Sequence, residues 1–279
     1  MKRPDLHLHT TASDGTKNAS DLAQLLQRAD VTLFSITDHD TMAALPEAAD
    51  AAYDRGLAFI PGVEISTEGD EEVHILGYGV RWDDPVLNAC FEKAAQDRQD
   101  RILRMAQRLE ALGMPIDPDA LLSQAGASMG RPLLARAMME KGYVQSVTEA
   151  FEKYLSKGKC AYLPRQTMSA SQAISLLRER RAIPVLAHPG LIKWPQEKLL
   201  PMLKTWMDAG LMGIEVYHPA NKADYASWDR FARRNGLLVT GGSDYHDGTD
   251  SHGQLGETAD AWPRAMEDGW ALYRAARRQ

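Results

Sequence analysis

Residues 5–10 have the sequence Asp-Leu-His-Leu-His-Thr, and the fold prediction starts from this short stretch. Successive side chains of a β-strand point to opposite faces, so His7 and His9 lie on the same face of any strand formed here. We therefore predict a strand over Pro4–Thr10 that presents two imidazoles side by side.

The rest of the chain alternates between short extended runs and helical runs. Further strands are predicted over Leu33–Thr37, Ala58–Ile65, Val73–Val80, Pro184–His188, Gly213–Tyr217 and Leu237–Ser243. Helices are predicted over Ser20–Arg28, Met42–Arg55, Ser171–Arg180, Leu199–Asp208 and Lys222–Asn235, and from Ala261 onward. About seven strands in this alternation predict an α/β fold with a mostly parallel sheet, and favour a barrel over an open sheet.

A run of helices interrupts the alternation between residues 84 and 159. The predicted helices are Asn88–Leu112, Asp117–Gln124, Pro132–Lys141 and Val147–Leu155. The first carries apolar residues at three- and four-residue spacing, as in a helix with one buried face. We predict a barrel formed by residues 1–83 and 160–279, with residues 84–159 as an inserted helical cap.

The charge, the cysteine number and the apolar stretches of the chain limit which binding partners and which cellular compartment we expect. The chain has 279 residues and a formal net charge of −6, which argues against broad adhesion to nucleic acid but leaves a local basic groove open. Cys90 and Cys160 are its two cysteines and give no disulfide framework. The sequence shows no apolar leader and no stretch of transmembrane length. We therefore expect a cytoplasmic protein that does not bind a membrane and has no obligate protein partner.

Histidines and carboxylates cluster at the predicted strand ends. Besides His7 and His9, they are His39, Glu64, His74, His188, Asp244 and His246. Strand ends of a parallel barrel meet at one mouth, so these side chains should share a pocket. One His-x-His pair can arise from alternation alone, but a near-pair at the opposite end of the chain, Asp244 and His246, favours a metal site. Imidazoles and carboxylates hold divalent ions, and paired ions hydrolyse phosphoesters with metal-bound hydroxide.

Several motifs resemble the PHP (polymerase and histidinol phosphatase) superfamily. They are Asp5–Thr10, Ser13–Gly15, Thr37–Thr41, Pro61–Ser66, Val73–Gly77, Ala187–Gly190 and Gly242–His246. The resemblance spans nearly the whole chain and implies a distorted (β/α)7 barrel. Gly130-Arg131-Pro132 and Ala135-Arg136 resemble the small stand-alone phosphoesterases of this superfamily. Some of these act on nucleoside 3′,5′-bisphosphates and on 5′-phosphorylated oligoribonucleotides.

The resemblance also implies three divalent metal ions. The implied ligands are His7, His9, Glu64 and Asp244 for the first ion, Glu64 as a bridge with His74 and His188 for the second, and Asp14, His39 and His246 for the third. Glu64 and Asp244 would act directly in catalysis. Asp14 stands where some relatives have histidine, and this oxygen ligand leaves manganese, iron and zinc all open.

Substrate phosphate requires cationic or amide donors besides the metals. The candidates are Arg131, Arg136, Lys159, Arg165 and His218. Arg131 is favoured because arginine offers a planar fork and lies at a predicted helix start. Leu133 occupies a place where close relatives often have histidine, and His218 could replace that function.

Three further carboxylates keep two interpretations each. Asp38 and Asp40 either cap the next helix or orient His39. Glu215 either contacts the metal shell or makes a structural hydrogen bond. Together, the sequence predicts a phosphomonoesterase for a small nucleotide or the 5′ end of a short RNA.

Three alternatives stay open at this stage. A histidinol-phosphate or cyclic-phosphate hydrolase of the same fold is the nearest. Hydrolysis of amides or lactones is disfavoured, since no strand end offers the lysine typical of such barrels. A non-catalytic metal-binding module is disfavoured by the complete ligand set.

Overall fold

A computed structural model of the protein describes residues 3–67, 73–124, 130–164, 167–247 and 253–278. Its strands are β1 (Arg3–Asp5), β2 (Val31–Phe34), β3 (Ala58–Phe59), β4 (Gly62–Ser66), β5 (His74–Tyr78), β6 (Ile183–Leu186), β7 (Gly213–Tyr217) and β8 (Leu238–Gly241). Its helices are α1 (Ala19–Arg28), α2 (Leu45–Arg55), α3 (Pro85–Ala111), α4 (Pro118–Gln124), α5 (Arg131–Glu140), α6 (Val147–Ala150), α7 (Ala170–Glu179), α8 (Gln196–Asp208), α9 (Tyr225–Arg234) and α10 (Ala265–Ala276). A π-helical turn over Phe151–Leu155 continues α6.

The strands form two sheets. The first has the order β1-β2-β3 and is parallel throughout. The second has the order β4-β5-β6-β7-β8, with β5 antiparallel to both of its neighbours and β6, β7 and β8 parallel. The α/β class is confirmed, but the predicted closed (β/α)7 barrel is not, since the described strands make two sheets and no closed barrel.

Two departures from the predicted strands have local causes: the division of one strand into β3 and β4, and the antiparallel direction of β5. The predicted strand Ala58–Ile65 is divided into β3 and β4 beside Pro61, which has no N–H to donate to a sheet. Only residues 67–73 connect β4 to β5. A parallel connection requires a crossover of about a dozen residues or more, so this link permits only an antiparallel pair.

The antiparallel pairing changes which end of a strand faces the predicted site. His74 is the first residue of β5, and in a parallel strand it would lie at the edge away from the other ligands. In the structure it pairs with Ser66, the last residue of β4. The reversal of β5 therefore brings His74 to the same edge as Glu64.

Isolated bridges extend beyond the sheets where the motif residues lie. Leu8 pairs in parallel with Tyr245, and the His9 N–H donates to the Tyr245 carbonyl at 3.0 Å. On the other side His39 pairs in parallel with Glu64. These short extensions past β1, β2 and β8 fix the backbone of the ligand-bearing segments.

Helix α1 shows why the helices form where the sequence places them. The Asn18 side chain accepts the backbone N–H of Asp21 and caps the first turn. Its buried residues are Ala19, Leu22, Ala23 and Leu26. This three- and four-residue spacing places them on one face of the helix.

The chain divides into two compact units, one from Met1–Ala89 with Met168–Gln279 and the other from Cys90–Thr167. The second unit has its own apolar core, in which Ile102, Met105 and Leu109 of α3 are buried, as is Leu134 of α5. Leu112, the last residue of the predicted helix, lies beyond the end of α3 and is 48% exposed. In the described ranges, no helix is both long enough and apolar enough to cross a membrane.

The close approach of Gly242 to the first strand gives a test of the fold. A Cβ at Gly242 would lie 2.5 Å from the backbone nitrogen of His7, so either segment must move. We expect Gly242→Ala to lower the free energy of unfolding by about 3 kcal/mol, measured by urea denaturation. Gly236→Ala is the control, because its φ is +67° but nothing lies within 4 Å, and it should cost about 1–2 kcal/mol. Equal losses in the two variants would contradict the close contact.

Candidate metal centre

Glu64 lies at the middle of a buried cluster of imidazoles. Its side chain is 1% exposed and projects from the centre of β4. Oε1 is 2.9 Å from His74 Nδ1 and 2.9 Å from His188 Nε2. Oε2 is 3.2 Å from His7 Nε2, 3.3 Å from His9 Nε2 and 3.2 Å from His39 Nδ1. One carboxylate thus lies beside the nitrogens of five histidines.

Two aspartates complete the cluster on either side. Asp244 Oδ1 is 3.3 Å from His7 Nε2 and 3.1 Å from His9 Nε2. Asp14 Oδ1 is 3.3 Å from His246 Nε2, and its Oδ2 is 3.8 Å from His39 Nε2. The structure therefore gathers all nine side chains that the sequence analysis named as metal ligands.

Several subsets converge closely enough to share an ion, with ligand atoms within 4.8 Å of one another. These sets are His9, Asp14, His39 and His246; His7, His9, Glu64 and Asp244; His39, Glu64 and His74; and His7, Glu215 and His218. His188 joins through its contact with Glu64. Because these sets share members, the candidate ligands form one connected cluster.

The chemistry of the donor set fits divalent metal. His9 Nε2 and His39 Nδ1 are buried without a hydrogen-bond partner, although carboxylate oxygens lie within 3.3 Å of each. Two ligand atoms on one ion at about 2.1 Å each lie roughly 3.0–3.4 Å apart. The observed donor separations match that spacing. A divalent cation would satisfy nitrogens that the protein leaves unpaired.

Charge in the cluster is also arranged for cation binding. Burial opposes ionisation of Glu64, but the surrounding imidazoles hold its pKa well below the ordinary range. Burial likewise disfavours a charged His9, yet Asp244 and Glu64 raise its pKa to about 10, which shows how strongly these two carboxylates attract positive charge to this position. Burial lowers the pKa of His39 to about 3, which keeps this imidazole neutral, as a metal ligand must be.

Glu215 makes structural hydrogen bonds, as one of its two interpretations predicts, and it also lies close enough to His7 and His218 to share an ion. It is fully buried at the middle of β7, and its Oε1 lies 2.9 Å from His7 Nδ1. Its Oε2 accepts the backbone N–H of His188 at 2.8 Å. The bond to Nδ1 turns the Nε2 of His7 toward Glu64 and Asp244, as outer carboxylates do for metal-bound histidines.

Asp38 and Asp40 accept hydrogen bonds from segments that carry predicted ligands. Asp38 accepts hydrogen bonds from the backbone N–H and hydroxyl of Thr10 and the hydroxyl of Ser13, at 2.6–2.7 Å. Asp40 accepts the backbone N–H of Ser66 at 3.0 Å. Helix α2 instead begins after Ala44, without a side-chain cap. The two aspartates fix the loops that carry ligands.

Asp5 is a site-supporting residue that the sequence analysis quoted only as part of a motif. It accepts the backbone N–H of Ser243 at 2.9 Å, the Ser243 hydroxyl at 2.7 Å and the Gly256 N–H at 2.8 Å. Burial raises its pKa to about 6 despite these bonds. The sequence offered no local signal for this function, because the partners of Asp5 lie 238 and 251 residues away along the chain.

Backbone strain coincides with the ligand segments. Three non-glycine residues there have positive φ: Asp40 (+51°), His188 (+25°) and Asp244 (+55°). Such conformations cost about 1–3 kcal/mol each and persist only where surrounding contacts impose them. The hydrogen bonds of Glu215 and Asp40 are contacts of that kind.

Three of the predicted phosphate-binding residues lie in the helical unit: Arg131, Arg136 and Lys159. His218 lies in the other unit, and Arg165 is outside the described residues. Arg131 is the first residue of α5, and its guanidinium stacks 5.5 Å from the Phe151 ring centroid and 5.9 Å from that of Tyr162. Arg136 and Lys159 are exposed. Leu133 is buried in the apolar core of this unit.

A known protein family matches the part of the chain that carries most of the candidate ligands. The model of the PHP domain matches residues 5–159, more than half of the chain. The chain belongs to the PHP domain family. The matched stretch includes six of the nine predicted ligands: His7, His9, Asp14, His39, Glu64 and His74.

Curated relatives of this PHP protein cover most of its length. A 3′,5′-nucleoside bisphosphate phosphatase of Chromobacterium violaceum is 31% identical, covering 94% of each chain. The 5′-3′ exoribonuclease Rnm of Salmonella typhimurium is 34% identical over 87% of this chain and 84% of its own. A phosphoribosyl 1,2-cyclic phosphate 1,2-diphosphodiesterase of Eggerthella lenta is 32% identical over 87% of this chain and 93% of its own.

Solved structures agree with this PHP assignment. An amidohydrolase of C. violaceum with bound sulfate superposes with a TM-score of 0.79 at 30% identity, over 90% of each chain. A Bifidobacterium adolescentis protein assigned as a metal-dependent phosphoesterase superposes with a TM-score of 0.77 at 29% identity, over 95% of this chain and 96% of that one. The protein is accordingly a metal-dependent hydrolase of phosphoester bonds.

The bond between Glu215 and His7 provides a test of the metal centre. In Glu215→Gln, the new amide N–H₂ must face either the Nδ1–H of His7 or the N–H of His188, and neither can accept. We expect metal affinity to fall about 10–100-fold, measured by competition with a chromophoric chelator. Asp229→Asn, which breaks an exposed ion pair with Arg233, is the control and should bind metal normally. Unchanged affinity in Glu215→Gln would show that Glu215 does not orient His7.

Proposed function

We propose that the protein removes a phosphate group from a small phosphorylated nucleotide, such as a nucleoside 3′,5′-bisphosphate, or acts at the 5′-phosphorylated end of a short RNA. The observation that supports this proposal most directly is the bridging geometry of Glu64, whose two oxygens face different sets of imidazoles. A bridging carboxylate between ions is a recurring feature of sites that hydrolyse phosphoesters.

Three divalent ions, manganese, iron or zinc, are the proposed complement. His7, His9, Glu64 and Asp244 would hold the first, Glu64, His74 and His188 the second, and Asp14, His39 and His246 the third. When bound, such ions polarise phosphoryl oxygens and lower the pKa of water to near neutrality. The mixed nitrogen and oxygen donors suit any of the three metals.

The protein's own side chains hold the candidate metal ligands in the charge state and orientation that metal binding requires. Glu64 and Asp244 are held ionised by the imidazoles around them, so each keeps a negatively charged carboxylate facing the cluster. Glu215 fixes His7 in one orientation through a 2.9 Å contact. The nearly complete burial of His7, His9 and Glu64 limits competition from water at the reacting centre.

The substrate class follows from the relatives together with the cations of the helical unit. Two of the curated relatives are enzymes whose names specify a nucleoside 3′,5′-bisphosphate or the degradation of RNA in the 5′-3′ direction. Arg131, stacked on Phe151, presents a planar guanidinium suited to a phosphate remote from the one released. The Eggerthella lenta relative supports cyclic-phosphate hydrolysis as the second candidate.

Phosphate release from a small substrate panel tests the proposed function. The panel is adenosine 3′,5′-bisphosphate, a 5′-phosphorylated dinucleotide, a ribose 1,2-cyclic phosphate and histidinol phosphate, each with added Mn²⁺ and after chelation. We expect chelator-sensitive release from the first two. Release from the cyclic phosphate alone would favour the second candidate, and a metal-loaded protein inactive on all four would refute the substrate proposal.

Glu64→Ala and Asp244→Ala are the matched site variants for this panel. We expect each to lower kcat by roughly a thousandfold or more, because each removes a shared ligand. Circular dichroism and gel filtration should show that both remain folded. Normal turnover in either folded variant would contradict its place at the reacting centre.

Substrate binding by Arg131 is tested separately. Arg131→Ala should raise KM for the bisphosphate roughly 10–100-fold with a smaller change in kcat, because a charged hydrogen bond to a remote phosphate is lost. Lys141→Ala removes an exposed cation at the other end of α5 and is the control. An Arg131→Ala enzyme with the wild-type KM for every active substrate would refute this role.

A further inference from the structure

His218 is a buried histidine whose proton position the structure determines. It is 4% exposed and lies directly after β7, at the start of the turn Pro219–Asn221. Its Nδ1 accepts the backbone N–H of Ala220 at 3.1 Å. A ring nitrogen that accepts a hydrogen bond carries no proton, so the proton of His218 is on Nε2.

That Nε2–H points at one oxygen of Asp244. The distance from His218 Nε2 to Asp244 Oδ2 is 3.2 Å, a hydrogen bond in which the imidazole donates. The other oxygen, Oδ1, lies within 3.3 Å of His7 Nε2 and His9 Nε2. The two oxygens of Asp244 therefore have different partners, with only Oδ1 turned toward the two imidazoles.

The backbone of Asp244 makes such a restraint necessary. Its φ of +55° is a strained conformation for a residue with a Cβ. Its side chain is 18% exposed, the largest value among Asp244, His7, His9 and Glu64. A carboxylate on a strained and partly exposed segment needs a fixed partner to keep one oxygen aimed at an ion.

We propose that His218 is a positioning residue that binds Oδ2 of Asp244 and thereby reserves Oδ1 for metal. The proposal rests on the proposed function only in requiring that the cluster hold metal. It also separates His218 from the ligands, although His218 lies close enough to His7 and Glu215 to share an ion. A nitrogen bearing a proton has no lone pair to give to a metal.

Two substitutions separate the two nitrogens of His218. In His218→Asn, the side-chain amide can replace Nδ1 as the acceptor in the turn, but nothing reaches Asp244. In His218→Gln, the longer side chain places an N–H₂ donor near the position of Nε2. Both variants would be compared with wild type for metal affinity by chelator competition, for kcat and KM with the best substrate of the panel, and for melting temperature.

We expect His218→Asn to lose about 10–100-fold in metal affinity and in kcat, with KM within about threefold of wild type. His218→Gln should recover most of both losses. The melting temperatures of the metal-free variants should be similar, because the turn keeps an acceptor in Asn and the Asp244 bond is kept in Gln.

Other outcomes would overturn the proposal in distinguishable ways. Equal metal loss in Gln and Asn, by one equivalent, would make His218 a ligand. Normal metal affinity and kcat in both would limit it to capping the turn, and a raised KM alone would make it a substrate-binding residue. Wild-type protein that binds metal but hydrolyses no panel substrate would defeat the proposed function and leave the affinity comparison valid.

Discussion

The buried carboxylate of Glu64 sets the constraint on which the rest of the structure depends. An ionised carboxylate that is 1% exposed costs several kcal/mol to desolvate unless opposite charge surrounds it. Five imidazole nitrogens within 3.3 Å provide that compensation, and divalent cations would provide it more completely. The strand extensions and the loops between them hold those imidazoles in place.

The strand directions in the second sheet bring imidazoles to the buried carboxylate of Glu64. A short link makes β5 antiparallel to β4, so His74 reaches the edge where Glu64 and His188 already lie. The backbones of His188 and Asp244 are strained at the same edge. Strain of this kind is tolerated where hydrogen bonds impose it, and the bonds from Glu215 and His218 are of that type.

Hydrogen bonds with Glu215 and His218 each occupy one polar atom of a candidate ligand and leave its other polar atom facing the cluster. Glu215 occupies Nδ1 of His7 and leaves Nε2 facing the cluster. His218 occupies Oδ2 of Asp244 and leaves Oδ1 facing the same way. The result is a preorganised donor set, which lowers the reorganisation needed when metal and substrate bind.

The sequence by itself determined the types and positions of nine gathered side chains and placed the helices to within a few residues, because ligand chemistry and helical periodicity are local properties of the chain. It also gave β7 its observed limits, Gly213–Tyr217. The division of the strands into two sheets, the direction of β5 and the hydrogen bonds of Asp5 and Asp38 were decided by tertiary structure. Asp5 acts through residues 238 and 251 positions away, and Asp38 through residues 25 and 28 positions away. Hydrogen bonds between such distant segments form only once the strands are aligned, so no local pattern encodes them.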